Sequence, residues 1–257
     1  MDASLTSDAP STTARVGVVA AISTAVFNLW FWIGFVLYEP TLQAPWRGMA
    51  DYQGRFQPGL YIEWTLPAFL IAPAFMAMVT CIHAWADQSQ RTWTLLALAF
   101  AIPGATLMSA LYYIQLTVVP NGLTNGTVDA LRLWIYAPPY PFTFPGALEG
   151  MGYGFEAAAL LFAAQAFAGD QLSVWVRWLF RACGVSMLVV PIDPLYRLPV
   201  ALVFADGGLA AILFTAAPAL LAVLCWRSQA TRRSNVRSGS VETPKPRQPR
   251  VSGTRSV

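Results

Sequence analysis

VGVVAAISTAVFNLWFWIGFVLY, Val16 to Tyr38, runs for 23 residues without a charged side chain. At about 1.5 Å per residue it exceeds the roughly 30 Å of hydrocarbon in a bilayer, so it reads as a transmembrane helix. No small-residue cleavage site follows it, and a removable signal is not expected. Five further apolar runs follow at 60–84, 92–119, 145–168, 174–191 and 198–226. Of the 257 residues, 56% are hydrophobic and only 11% charged, against about 25% charged in soluble domains. The expected fold is an all-α integral membrane protein, a multi-pass bundle of six, or seven, transmembrane helices over residues 15–227.

Residues 1–14 and 228–257 are polar, the latter rich in Ser, Pro and Arg, and both are expected to be disordered. The net charge of +3 comes mostly from that tail, so no nucleic-acid partner is expected; the tail suits an anionic lipid surface. With six spans both termini share a side. That side holds Arg15, Arg91, Arg177, Arg181 and eight basic residues from Arg227 onward, twelve in all, against Arg47, Arg55, Arg132 and Arg197 opposite. The imbalance, which the tail dominates, predicts cytoplasmic termini. Two long loops, 39–59 and 120–144, then lie on the outer side. The second carries YAPPYPFTFP, whose prolines forbid a regular helix and whose aromatics suit either an interfacial anchor or a lid.

The intramembrane polar residues gather toward that outer half. Glu63 sits in YIEWTLP, and Glu149 and Glu156 in GALEGMGYGFEAAAL. Their spacing of seven is two helical turns, which puts both acids on one side of the helix, while the glycines between them permit a close neighbour. Asp193 and Arg197 fall in the last hairpin, LVVPIDPLYRLPVALVFADGG (188–208), with Asp206 following. Asn28, Trp64, Tyr112, Tyr113, Gln115 and Tyr153 lie at similar depths. A charged side chain deep in a bilayer costs at least about 2.5–3.5 kcal/mol, so these acids should be paired, hydrated or protonated. A cavity holding a neutral carboxylic acid is a proton donor.

Other chemistries find no support in the pattern. There is no acidic metal–diphosphate motif, P-loop, GxSxG or histidine cluster, and His83 is the single histidine. Cys81, Cys225 and Cys183 stand singly in apolar runs, without zinc spacing. No cofactor or metal is therefore expected. A carboxylic acid beside aromatic rings suits protonation of an olefin or epoxide and guidance of the resulting cation. A proton-coupled small-solute carrier and a non-catalytic membrane subunit are the alternatives. The absence of an internal repeat counts against many secondary transporters.

Glu63 beside Trp64, VVPIDPLYR at 189–197 and the Asp206–Gly207 pair resemble the small membrane-integral terpene cyclases of fungal meroterpenoid pathways. The resemblance covers some 40 residues in short pieces. It implies a metal-independent, proton-initiated cyclase acting on an isoprenoid. Glu63 and Asp206 would be the catalytic acids, with Asp193 and Arg197 supporting them. The family has seven spans rather than six, and its Trp–Glu order is reversed here. Together the two lines nominate Glu63, Glu156 and Asp206 as catalytic. Asn28, Trp64, Tyr112, Tyr113, Gln115, Glu149, Tyr153, Asp193 and Arg197 are nominated as binding or supporting residues.

Overall fold

The computed structural model describes residues 9–43, 46–126, 131–136, 143–196 and 200–239. Among them there is no strand. The helices are α1 (Ala9–Gln43), α2 (Met49–Arg55), α3 (Pro58–Trp85), α4 (Arg91–Asn125), α5 (Phe144–Ala163), α6 (Gln171–Met187), α7 (Val189–Tyr196) and α8 (Val200–Gly239). Among the described residues, five stretches are long and apolar enough to cross a membrane: Thr12–Tyr38, Pro58–Trp85, Gln88–Asn125, Gln171–Ile192 and Ala205–Ser228. The remaining long helix, α5, is 20 residues, carries both glutamates and four glycines, and falls outside that set.

Six helices close into a ring. α1 packs between α3 and α8, α8 meets α6, α6 meets α5, α5 meets α4, and α4 returns to α3. Val19, Ile22, Val26, Leu29, Ile33 and Val36 line the outer face of α1 at helical spacing and are all exposed. Such a continuous apolar face would be unstable in water and is at home against lipid tails. Pro67, Pro73, Pro103 and Pro218 lie inside helices, as transmembrane helices tolerate when neighbours satisfy the freed carbonyls.

Glycines set the closest approaches. A methyl on Gly34 of α1 would fall 2.8 Å from the Trp64 backbone nitrogen of α3, inside its van der Waals envelope. On α5, Gly152 turns toward Met108 of α4, while Gly150 and Gly154 receive Pro191 of α7. The glycines between the two glutamates therefore serve two different neighbours.

The helices extend beyond their sequence-expected limits. α1 already includes residues 9–14, and α8 runs through 228–239, both expected to be disordered. Extending an existing helix needs no new nucleus, so polar sequence can follow the membrane segment. The two long loops also hold regular structure in part. α2 occupies part of the first, with Tyr52 buried and Gln53 Nε2 donating to the Leu123 carbonyl at 2.6 Å. In the second, Leu131 packs on Gly122, and the Phe144 N–H reaches the Leu133 carbonyl at 3.2 Å. Residues 137–142, most of the proline-rich motif, lie outside the described residues, as do Arg197 and the side chain of Asp193.

Candidate functional site

An acid pair and an aromatic cluster meet beneath these two loop segments. α5 begins with Thr143 capping its first turn, the hydroxyl accepting from the Gly146 N–H at 3.4 Å, and Pro145 in that turn. Two turns separate Glu149 from Glu156, and both are buried, at 6% and 1% exposure. The Tyr112 hydroxyl of α4 donates to Glu149 Oε1 at 2.7 Å. Tyr153, between the two acids in the chain, lies beside both. Glu156 packs against the bare backbone of Gly104, where a methyl would fall 3.0 Å from its Cγ. Its Oε1 has no hydrogen-bond partner among the described residues. An unsatisfied oxygen at this depth costs about 1–3 kcal/mol, which makes it unusual enough to ask what it serves.

Trp64 is the centre of the aromatic cluster. Phe31, Phe35, Tyr38, Tyr61, Tyr112 and Tyr136 surround it with ring centroids 5.2 to 6.3 Å away, mostly edge-on or tilted. Tyr112 therefore belongs to both groups: its hydroxyl holds Glu149 and its ring edges Trp64. On the far side, Trp32 touches Phe31 and Phe35 at 5.4 and 5.6 Å. A methyl on Gly207 would lie 3.3 Å from the Trp32 ring. Asp206, the residue before, accepts from the Ser186 hydroxyl of α6 at 2.7 Å. Glu149 thus borders the rings through Tyr112, while Asp206 turns to Ser186 of α6.

A polar layer ties the loops down over the rings. Tyr61 donates to Gln115 Oε1, and Gln115 Nε2 donates to the Trp134 carbonyl at 2.9 Å. The hydroxyls of Tyr38 and Tyr52 meet at 3.4 Å. Burial pushes the Tyr52 hydroxyl above its ordinary range, while Tyr38 and the Arg55 charge pull the other way. Arg55 in turn pairs with Asp51 at 2.8 Å within α2.

The structure brings together Trp64, Tyr112, Gln115, Glu149, Tyr153 and Glu156 from the sequence-expected set. Others stand apart. Glu63 is exposed and accepts from Trp30 Nε1 at 2.9 Å. Its chain neighbour Trp64 takes the interior position, because consecutive helical residues point about 100° apart. Tyr113 is 59% exposed and touches Phe69 rather than the acids. Asn28 crosslinks α1 to α8, donating to the Ala211 carbonyl at 3.1 Å and to Thr215 Oγ1 at 2.8 Å.

Sequence reasoning missed Tyr38, Tyr61, Gly104, Tyr136 and Ser186. Helical spacing held a signal for two of them: Tyr61 is three residues before Trp64, and Tyr38 is seven after Phe31. Gly104, Tyr136 and Ser186 depend on neighbours distant in the chain. No protein-family model, curated protein or solved structure matches this chain.

Proposed function

We propose that this chain is a membrane-integral enzyme of six spans, both termini cytoplasmic, performing acid–base chemistry on an isoprenoid or similar lipid-like substrate. Proton-initiated cyclisation of the terpene cyclase kind suits it best. The observation that carries the reading is Tyr112, which joins a buried carboxyl to a wall of aromatic rings. In this reading α5 is the sixth span, acceptable in the bilayer because its glutamates face protein rather than lipid.

The chemistry follows from the arrangement. A neutral Glu156, with an oxygen free of partners among the described residues, delivers a proton to an olefin or epoxide. The resulting carbocation is stabilised by the faces of Trp64 and its neighbours, by about 2 kcal/mol or more for a desolvated cation. The loop segments above exclude water that would quench it. A carboxylate, Glu149 or Asp206, takes the terminating proton. Glu149 replaces Glu63 in this scheme, and Asp206 keeps the place that the family resemblance implies.

Bacterial membranes holding the full chain, supplied with farnesyl-bearing compounds and their epoxides, provide the test. The expected product has unchanged mass and altered retention. It should vanish in Glu156→Gln and persist in Glu63→Gln. No conversion across the panel by folded protein would sink the enzyme reading.

A second reading is a proton-coupled carrier, favoured by the hydroxyl pairs leading from the loops inward, Tyr52 with Tyr38 and Tyr112 with Glu149. Proton flux into proteoliposomes, lost in Glu156→Gln without any conversion activity, would select it.

A further inference from the structure

At the opposite end of α3 from Trp64, three helix faces converge on a small cavity that the acid–aromatic site does not use. Gly17 of α1, Met78 and Cys81 of α3, and Leu221 and Cys225 of α8 line it, and its volume is about 20 Å³. About 10–15 Å³ suffices for one water, so the space admits a single small occupant. Its walls are almost wholly apolar, which makes it a poor site for water and a suitable one for a soft ion. Gly17 supplies the room. A methyl built there would lie 3.4 Å from Cys81 Cβ, 3.7 Å from Cys225 Sγ and 3.9 Å from Cys81 Sγ. One position over Gly17 is therefore flanked by sulfurs from two helices that α1 brings together. Met78 is three residues before Cys81 and shares its face of α3, adding a thioether to the wall. Both cysteines are free thiols.

We propose that Cys81, Cys225 and Met78 bind one soft monovalent cation, Cu(I), seated over Gly17. Thiolate and thioether ligands select Cu(I) over the hard ions, and a dry pocket disfavours the hydrated competitors. Each ligating thiol releases its proton on binding, so affinity rises with pH. The ligands come from residues 78, 81 and 225, which explains why no short sequence motif announces them. The site stands independently of the acid–aromatic cluster and of whatever reaction that cluster performs.

The test uses the purified full chain in detergent with Cu(I), held reduced by ascorbate, against bicinchoninate as a competing chelator. Wild type should retain one equivalent. Cys81→Ser/Cys225→Ser should weaken retention by more than about 100-fold, since even an outer-shell partner is worth about 10–100-fold. Gly17→Ala is the sharper variant. Its methyl makes ordinary van der Waals contacts, so the helix bundle stays intact while the space between the sulfurs is filled; it should lose the ion with both thiols present. Cys183→Ser, which alters a thiol packed against Met187 instead, should retain it. Absence of binding by wild type overturns the proposal. So does full retention by Gly17→Ala, which would place the ion on the thiols outside the cavity.

Discussion

Glu63 and Trp64 are consecutive residues of α3 that face different surroundings. Glu63 holds the Trp30 indole N–H at 2.9 Å on an exposed face, while Trp64 is 2% exposed at the centre of the aromatic cluster. Their substitutions should diverge accordingly. Glu63→Gln keeps an acceptor for Trp30 and should change stability by less than about 0.5 kcal/mol. Trp64→Ala empties the middle of the ring cluster and should cost about 3–5 kcal/mol. Thermal unfolding of the detergent-solubilised variants checks both; a costly Glu63→Gln would mean that Glu63 reaches the interior.

Glu156 offers a test in which stability and function move in opposite directions. Leucine is close to glutamate in volume, lacks the unpartnered oxygen and preserves the contact with Gly104. Glu156→Leu should therefore stabilise the fold by about 1–2 kcal/mol while abolishing activity. A fall in melting temperature would mean that the oxygen is satisfied in solution, and would remove the argument that it is held for chemistry.

Tyr112→Phe reports the charge on Glu149. Losing a bond to a neutral acceptor costs about 0.5–1.5 kcal/mol, whereas losing one to a carboxylate costs about 1.5–3. Glu149 is one of the two acceptors in the cyclisation scheme; where it takes the final proton it rests as a carboxylate, and the larger cost is expected. Chemical denaturation in a mild detergent, comparing the variant with wild type, distinguishes the two ranges.

The N-terminus of α6 supplies a pH dependence with a definite sign. Asp170 caps that helix: its carboxylate accepts from Ser173, including the backbone N–H at 3.1 Å, and is held below its ordinary value of 3.8. A lowered folded-state value means that the stabilisation is present above 3.8 and disappears as pH falls through the folded value. Asp170→Ala should therefore be less stable than wild type at neutral pH, with the difference closing in strong acid. Melting temperatures of the pair from pH 7 downward measure it, and a difference independent of pH would contradict the cap.

The apolar stretches announced the helices because span length and composition are local properties. The seven-residue spacing of Glu149 and Glu156 likewise placed them on one side of α5, whatever lay opposite. What faced them was not local. Whether Glu63 or Trp64 turns inward depends on how α1 crosses α3 at Gly34. The tie from Tyr61 through Gln115 to the Trp134 carbonyl joins three segments remote in the chain. Helical periodicity limits which residues share a face; only packing chooses the face that is used.

In the proposed six-span arrangement, α5 also constrains how the protein is made. A helix with two glutamates enters a bilayer badly by itself, at a cost of several kcal/mol on insertion scales. Tyr112 and Gly104, which receive those acids, belong to α4, and the ribosome completes α4 first. The natural unit of insertion is then an α4–α5 hairpin that leaves the translocon together, its carboxyls already covered. Direction of synthesis becomes order of assembly.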